Sequence, residues 1–352
     1  TTGGLGPTYD DLTKQTICAA FGQKLVLHED ILEDNRAFYQ SVLHVPMPEN
    51  NTQQAELPEG CTVFDNPVGT APGCAFEADG VHVLMLPGPP HECETMLRRC
   101  VEPYLRALSK EVIVSHDIMT FGMGESSVDQ LLHDRMVRMV NPTLATYAKP
   151  CEVRLRATAK AAGAEEAEAM LAPVVAEVRA ALGDYVYGVD VKGLEAVCFQ
   201  LLKERNLTLS TAESCTGGRV AERITALPGV SSVYRGGVVS YWTSVKAAVL
   251  GVPQETLDQY GAVSEETARA MAEGARQITG ADIAVSVTGV AGPDRDERDN
   301  PVGLVYIGLA TPEGTFCRRT DSGRRRRDRI QELAANHALD VVRRYLTGLP
   351  IG

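Results

Sequence analysis

The sequence predicts an α/β protein built from several domains, and three observations carry this prediction. The chain has 352 residues, which is long for a single hydrophobic core. Apolar runs of strand length alternate with amphipathic runs of helix length near both ends of the chain. Between them lies a stretch whose polar and apolar residues alternate with period two. We therefore divide the chain into residues 1–108, an α/β domain; 109–190, a small α+β domain; and 191–352, a second α/β domain.

The first domain combines glycine-rich loops with short apolar runs. Val81–Leu86 predicts a buried strand, followed by the rigid turn "PGPP" and a helix from about Glu92. The loops "TTGGLGPT" and Asn66–Phe76 complete strand-loop-helix units, which are typical of a parallel sheet. Because the chain opens on a glycine loop with no strand before it, we expect the chain to be a fragment and this domain to be incomplete.

The middle domain has two strand patterns and two helix patterns. "EVIVSHDIMTFG" predicts a strand, and "GESSVDQLLHDRMVRM" a helix capped by Ser126 or Ser127. "EVRLRATAKA" predicts a half-exposed strand, and the alanine-rich run after it a helix that stops at Gly183. The module is similar to a KH domain but lacks a GxxG loop with basic flanks. We therefore interpret it as a spacer or scaffold.

The last domain again alternates helices and strands. Helices are predicted in "GLEAVCFQLLKERN", "GGRVAERITAL", "SVKAAVLG", "SEETARAMAEGARQITG" and "RIQELAANHALDVVRRYL". Strands are predicted in "LTLSTAE", "RGGVVSYW", "ADIAVSVTG" and "GLVYIGLAT". Ser264 is the expected N-cap of the fourth helix, and Gly251 the stop of the third.

Composition excludes several classes of function. A net charge of −12 argues against general binding to DNA, RNA or anionic membranes. No run has the length of a transmembrane helix, and no secretory signal is visible. The nine cysteines include no CxxC pair, which indicates neither a disulfide framework nor a zinc site and predicts a cytoplasmic protein. We interpret "PHECE" as a helix start rather than a metal site.

The stretch "TLSTAESCTGGRVAERI" places two possible nucleophiles on a strand-to-helix turn. Ser214 and Cys215 precede two glycines, where free backbone N–H groups can hold an oxyanion. A cysteine at a helix N-terminus can have a lowered pKa, so either residue could be the nucleophile. A turn with only a structural role is the alternative.

A serine nucleophile needs a base, and Lys246 is the candidate. The only histidine after residue 190 is His337, in the closing helix, so no Ser-His-Asp set is apparent. Lys246 lies in the first turn of a helix with Thr243 as the expected N-cap, and the positive helix end should lower its pKa. A lysine with a lowered pKa can act as a general base. The alternative is a solvated surface lysine.

Two further segments could bind an anion. The loop that starts at Thr288-Gly289 and includes Gly292 can present backbone N–H groups to a phosphate or a carboxamide, although a plain turn has the same sequence features. Arg324–Arg327 precede the closing helix, where cations are unfavourable, and this indicates either an anionic ligand or a solvated run.

Taken together, these motifs resemble the CinA (competence/damage-inducible) family over essentially the whole chain and in the family's order. In the last domain the resemblance rests on "TAESCTGG", "YRGGVVSYWTSVKAAVLGV", "GAVSEETARAMAEGAR", "SVTGVAGPD" and "PVGLVYIGLA". In the preceding domains it rests on "TTGGLGPTYDDLT", "NPVGTAPG", "LPGPPHE", "FGMGES", "NPTLATYAKPCEVRLRATAKA" and "LGDYVYG".

For the last domain the resemblance implies a nicotinamide-nucleotide amidase, which converts nicotinamide mononucleotide to nicotinate mononucleotide and ammonia without a cofactor. It implies that Ser214 is the nucleophile, that Lys246 moves the proton and that Tyr241 orients Lys246, while Cys215 becomes a packing residue. Backbone N–H groups around Thr216 and Gly217 would stabilise the oxyanion. The implied substrate-binding residues are Glu213, Thr216, Gly217, Gly218, Thr288, Gly289, Val290, Ala291, Gly292 and Arg327.

For the first domain the resemblance implies a molybdopterin-binding-like fold, associated in this family with a metal-dependent ADP-ribose pyrophosphatase. The implied nucleotide site comprises Thr2, Gly3, Gly4, Gly6 and Gly88. Asp10 and Asp11 would hold a divalent metal ion, although two aspartates can equally cap a helix. The family's elements before this motif are missing from the chain, so we doubt this activity here.

Two alternatives to the amidase remain. The pyrophosphatase could be the main activity, or the protein could be a non-enzymatic nucleotide-binding partner in competence or the response to DNA damage. The presence of both Ser214 and Lys246 favours the amidase. The family also suggests a homodimer.

Overall fold

The computed structural model describes residues 1–149 and 151–351. These fall into two compact units, residues 1–112 and 113–352. Within the described part of the chain, no helix is both long and apolar enough to cross a membrane.

The first unit contains four α-helices and five short strands among its described residues. The helices are α1 (Thr13–Ala20), α2 (Glu29–Ser41), α3 (Pro90–Met96) and α4 (Glu102–Leu108). The strands are β1 (Leu25–Leu27), β2 (Glu56–Pro58), β3 (Thr62–Phe64), β4 (Gly73–Ala78) and β5 (Val81–Met85). Helix α3 starts inside "PGPPHECE", which confirms the helix predicted there.

The named strands of this unit do not form the predicted parallel sheet, although Thr2 makes a parallel bridge with Leu86, just after β5. Strand β1 pairs with β2, and β3, β4 and β5 form a meander; all of these pairs are antiparallel. The reason is the turn Asp79-Gly80, in which both residues have positive φ, 52° and 75°. A two-residue turn of this kind permits only an antiparallel hairpin. Strand β5 is also less buried than predicted, because Val81 is half exposed.

The second unit begins with a four-stranded sheet covered by two helices. Its strands are β6 (Val112–Thr120), β7 (Thr143–Lys149), β8 (Glu152–Ala161) and β9 (Val186–Val189), in the order β7-β8-β6-β9. Its helices are α5 (Glu125–Arg138) and α6 (Ala164–Leu182). Strand β8 alternates between buried and partly exposed residues, as predicted, and α6 ends at Gly183 with φ 53°.

The predicted serine cap of α5 is wrong. The helix begins at Glu125, so Ser126 and Ser127 both lie in its first turn. Gly124, in extended conformation, is the N-cap, and its carbonyl accepts from the backbone N–H of Ser127 and Val128. A side-chain cap must precede the first helical residue, and neither serine does.

The rest of the second unit is a five-stranded sheet between two layers of helices. The strands are β10 (Leu209–Glu213), β11 (Tyr234–Val239), β12 (Ile283–Gly289), β13 (Leu304–Thr311) and β14 (Gly314–Asp321), in the order β11-β10-β12-β13-β14. The helices are α7 (Leu194–Arg205), α8 (Arg219–Thr225), α9 (Thr243–Leu250), α10 (Gln254–Tyr260), α11 (Glu265–Thr279) and α12 (Arg327–Thr347). Strand β14 and helix α10 were not predicted.

Successive side chains of β12 point to opposite faces of the sheet, which explains why helices cover both faces. Ile283, Val285 and Val287 belong to the core that the strands share with α7, α8 and α12. Ala284 points to the other core, formed with α9, α10 and α11.

The expected cap of α11 is confirmed, since Ser264 Oγ accepts from the backbone N–H of Thr267 at 3.2 Å.

Candidate active site

The candidate site lies where three parallel strands end. Strand β10 pairs in parallel with β11 on one side and β12 on the other, with Glu213 opposite Val239 and Val287. The backbone N–H of Ser214 donates to Val287 O at 2.9 Å, and that of Ser240 donates to Glu213 O at 2.8 Å. In open α/β sheets, ligands bind in the crevice outside the carboxyl ends of neighbouring strands, at the point where the strand order reverses.

The structure separates the two candidate nucleophiles. Ser214 is partly exposed at the end of β10, whereas Cys215 is only 4 % exposed and packs in the core under α7, α8 and α12. Burial raises the pKa of the Cys215 thiol to about 12. The lowered pKa that a helix N-terminus could provide is therefore not realised, because burial of the thiol dominates.

Lys246 is buried beside Ser214. Its Nζ donates to Ser214 Oγ at 3.0 Å and to the carbonyl oxygen of Ser240 at 2.5 Å, and the residue is 1 % exposed. Burial is the main cause that lowers the pKa of Lys246 to about 8. The expected capping by Thr243 is wrong: α9 begins at Thr243 and Trp242 is its N-cap.

Glu213 is a structural cap and is not placed to contact a substrate, which corrects its predicted role. Its side chain is 1 % exposed. One carboxylate oxygen accepts from the backbone N–H of Gly218 at 3.0 Å and Val220 at 3.1 Å, and the other accepts from that of Ala221 at 2.8 Å. The carboxylate thus satisfies the free donors at the start of α8 and fixes the turn that carries Ser214.

We predict that Glu213→Gln lowers the free energy of unfolding by about 2–3 kcal/mol, because the amide group replaces an acceptor by a donor that faces buried N–H groups. Urea denaturation measures this change. Glu222→Gln, an exposed residue of the same helix, is the matched control and should have little effect. Equal stability of the two variants would refute the capping role.

Most of the backbone N–H groups that were predicted to bind the substrate in this turn already donate to acceptors within the protein. The N–H of Gly217 donates to Ser214 O at 3.0 Å, and that of Gly218 to Glu213, so neither is available to a substrate oxygen. By contrast, no acceptor in the described part of the chain takes the backbone N–H of Cys215 or Thr216. These two groups, the second of them predicted, are left to stabilise an oxyanion next to Ser214.

Tyr241 contacts Arg327 and not Lys246. Arg327 Nη2 donates to the hydroxyl of Tyr241 at 2.5 Å, and its Nη1 donates to Gly292 O at 2.5 Å. The orientation of Lys246 that was assigned to Tyr241 is instead provided by the carbonyl of Ser240. The guanidinium of Arg327 therefore joins the end of β11 to the loop after β12.

Only the end of the predicted loop 288–292 is open to a ligand. Thr288 Oγ1 donates to Ala262 O at 2.6 Å, and the backbone N–H of Val290 donates to Leu304 O at 2.9 Å. The side chains of Val290 and Ala291 are buried. The hydrogen bond of Val290 continues the antiparallel pairing between β12 and β13, within which Gly289 lies opposite Val305. Gly292, with φ 81°, is the residue of the loop that reaches Arg327.

The arginine run borders a cleft next to these residues. The cleft has a volume of about 570 Å³, and its lining includes Pro293, Arg324–Arg327 and Gln331. The side-chain amide of Gln331 donates to Cys215 O at 2.9 Å, so α12 touches the turn that carries Ser214. Sequence reasoning missed Gln331 and Ser240, since both act through backbone carbonyls that no motif reveals.

The first unit holds a separate cavity of about 250 Å³, to which Gly4, Gly6, Gly88 and Asp11 contribute. Gly3 and Gly88 lie against each other, and a Cβ on Gly88 would lie 3.2 Å from the Gly3 Cα. The backbone N–H of Gly3 donates to Leu86 O, and Thr2 forms a parallel bridge with the same residue. The structure therefore brings the predicted glycines together, while Thr2 serves the backbone pairing.

The two predicted metal ligands both bind Thr8. The Thr8 hydroxyl lies 2.7 Å from Asp10 Oδ1 and 2.5 Å from Asp11 Oδ2, and the hydrogen bond with Thr8 lowers the pKa of Asp11. Residues 1–149 and 151–351 contain no group of three or more His, Cys, Asp or Glu side chains that could hold a metal ion. The metal site at Asp10 and Asp11 stays a prediction.

Comparison with known protein families gives three matches along the chain. The probable molybdopterin binding domain matches residues 1–107, the damage-inducible protein CinA KH domain matches residues 115–188, and the CinA C-terminal domain matches residues 191–346.

Curated relatives agree with these matches over the whole chain. A putative competence-damage inducible protein of Acetivibrio thermocellus is 46% identical over 348 residues, covering 99% of this chain and 84% of the relative. A CinA-like protein of Desulfovibrio desulfuricans is 46% identical over 354 residues, covering 100% of this chain and 82% of the relative. The crystal structure of competence/damage inducible protein CihA from Agrobacterium tumefaciens is 37% identical, covers 44% of this chain and 93% of its own, and has a TM-score of 0.42. The chain belongs to the CinA family.

Proposed function

We propose that the domain of residues 191–352 is an amidohydrolase that converts nicotinamide mononucleotide to nicotinate mononucleotide and ammonia. The observation that carries the proposal is the 3.0 Å contact between Lys246 Nζ and Ser214 Oγ. With a pKa of about 8, Lys246 is neutral in a useful fraction of molecules near neutral pH and can accept a proton. A serine with a lysine base is an established variant of nucleophilic catalysis.

In the first half of the reaction Ser214 Oγ attacks the carboxamide carbon. Its proton passes to Lys246 Nζ, and the carbonyl oxygen becomes an oxyanion that the backbone N–H groups of Cys215 and Thr216 stabilise. Lys246 then returns the proton to the amide nitrogen as the C–N bond breaks. Ammonia leaves, and an ester between Ser214 and the nicotinoyl group remains.

In the second half water replaces ammonia. Lys246 Nζ takes a proton from the water, which attacks the ester carbon, and the same oxyanion position is used again. Lys246 then gives the proton to Ser214 Oγ as the ester bond breaks. The carboxyl group of the product loses its remaining proton to solvent, where the released ammonia takes up a proton. Nicotinate mononucleotide leaves as the carboxylate, and Ser214 and Lys246 regain their initial states.

A phosphate group suits the arginine cleft. Arg324 and Arg326 line it with Arg327, and a charge-assisted hydrogen bond from a guanidinium to a phosphate is among the stronger polar contacts in proteins. The cleft adjoins the Ser214 turn through Gln331, so a substrate with a carboxamide at one end and a phosphate at the other can span both. The family resemblance independently points to nicotinamide mononucleotide.

Ammonia release from nicotinamide mononucleotide, measured without added metal, tests the proposal. Nicotinamide riboside, which has the same carboxamide but no phosphate, is the matched comparison substrate. We expect release from both, with a lower KM for the phosphorylated compound. If correctly folded protein releases ammonia from neither substrate, the proposal is overturned.

We predict that Arg327→Gln raises the KM for nicotinamide mononucleotide about 10- to 100-fold, the range that the loss of one or two charge-assisted hydrogen bonds gives. Steady-state kinetics measures the change. The KM for nicotinamide riboside should rise less, because that substrate lacks the phosphate. Arg179→Gln, an exposed arginine of α6, is the control and should leave both KM values unchanged. An unchanged KM in Arg327→Gln would remove this residue from the substrate site.

A further inference from the structure

A second cavity in the same unit, of about 730 Å³, takes no part in the proposed amidase reaction. It lies between the four-stranded sheet domain and helix α12. Its walls are formed by the segment between β6 and α5, by the described residues at the facing ends of β7 and β8, and by one side of α12. Neither Ser214 nor Lys246 lines it.

One stripe of α12 faces this cavity. Arg329, Leu333 and His337 are spaced four residues apart, which places them on one side of the helix. Arg327 and Gln331, which contact the candidate active site, do not line the cavity. Arg325 borders both this cavity and the arginine cleft, but none of Ser214, Lys246, Arg327 and Gln331 lines this cavity, which is therefore distinct from the site around Ser214.

Three cations line the cavity, and two of them have no hydrogen-bond or ion-pair partner among the described residues. The side chains of Arg329 and Lys149 make no hydrogen bond or ion pair with any residue that the structure describes, and Arg325 uses only its Nε, which donates to Ser322 O at 2.9 Å. The lining carboxylates are Glu125 and Glu152. Glu152 already accepts from the Tyr187 hydroxyl at 3.1 Å, and burial raises the pKa of its carboxyl group. Positive charge therefore exceeds the negative charge available to neutralise it.

The remaining wall is aromatic and apolar. The ring of His337 meets Phe121 edge to face, with centroids 4.8 Å apart. Burial lowers the pKa of His337 to about 4, so its imidazole is neutral at pH 7. Met123, Leu333 and Val153 extend this surface. A flat ring can pack on such a wall while its charged group reaches the cations.

We propose that this cavity binds a nucleoside monophosphate, with its phosphate at Arg329 and Lys149 and its base on the wall around Phe121 and His337. Its volume lies within the 300–1,000 Å³ that small-molecule sites usually have. An inorganic anion alone would leave the apolar wall uncovered. A neutral aromatic ligand would leave the cations without a partner.

Protection of Cys151 provides a readout specific to this site. Cys151 lines the cavity and is partly exposed. The rate of its alkylation by N-ethylmaleimide is measured by peptide mass spectrometry with adenosine monophosphate as the probe. At a concentration ten times the Kd, the rate should fall about tenfold, because only unoccupied protein reacts. Cys100, partly exposed in the first unit, is the internal reference and should keep its rate. Adenosine or inorganic phosphate alone should protect less.

Variants decide whether the protection arises in this cavity. Arg329→Gln should abolish the protection factor, meaning the ratio of the rates without and with adenosine monophosphate. Lys149→Gln is a second variant, and both side chains are exposed, so folding is expected to survive. Arg179→Gln and Ser214→Ala should retain the protection. Absence of protection at millimolar probe, or equal protection in Arg329→Gln, would overturn the proposal. Because no step of the assay requires amidase activity, its outcome is independent of that function.

Discussion

Ser214→Ala is expected to lower kcat for ammonia release from nicotinamide mononucleotide by at least about 10³-fold, the size of loss that removal of a nucleophile causes in serine hydrolases. Cys215→Ala should retain most of the activity. Its thiol is buried in the core and its pKa is raised to about 12, so it is protonated and inaccessible. Single-turnover kinetics with saturating substrate measures the chemical step for both variants.

Cys198→Ala is the matched control for Cys215→Ala. Cys198 is also buried in the core of this domain, and its thiol donates to Leu339 O at 3.2 Å, so Cys198→Ala should be at least as destabilising as Cys215→Ala. A greater loss of activity in Cys215→Ala than in Cys198→Ala, at equal stability, would move the nucleophile from Ser214 to Cys215. Full activity in Ser214→Ala would reject the serine mechanism.

Lys246→Met is expected to abolish activity and to stabilise the protein at neutral pH by about 1–3 kcal/mol. The pKa of Lys246 is about 8 in the folded protein and 10.5 without burial, so the unfolded chain binds the proton more tightly. The stability of the wild type therefore rises with pH between these two values, and the buried charge costs stability below pH 8. Methionine has similar length and no charge. Urea denaturation of the wild type and of Lys246→Met at pH 7 and at pH 10 measures the change in stability and its dependence on pH. Ammonia release measures the loss of activity.

The same lysine sets the pH dependence of the wild-type reaction. The base must be neutral, so kcat/KM should rise about tenfold per pH unit below pH 8 and level off above it. Lys203→Met, an exposed lysine of α7, is the control and should change neither the pH profile nor the stability. A profile that is flat between pH 6 and 9, or a Lys246→Met protein less stable than the wild type at pH 7, would contradict the proposed role of Lys246.

Structural features that depend only on residues nearby in the chain could be predicted from the sequence. The α/β class, the stop of α6 at Gly183 and the cap of α11 at Ser264 depend on local spacing, and the structure agrees with each. The family could be recognised because its motifs keep their order along the whole chain. The antiparallel meander of the first unit depends on the hairpin turn in "ADG", which is a local signal, whereas the strand-loop-helix spacing of the same unit indicates a parallel sheet.

The sequence by itself determined which residue types stand at the ends of the strands, and it placed Ser214 and Lys246 in the domain formed by residues 191–352. Only the tertiary structure decided which groups face one another. The carboxylate of Glu213 turns into α8, the thiol of Cys215 packs in the core, and Tyr241 pairs with Arg327. The physical reason is that backbone donors must be satisfied when strands and helices are buried, and the residue that satisfies them is chosen by packing across the sheet. Burial, which no local pattern measures, is also the main reason that the pKa of Lys246 falls.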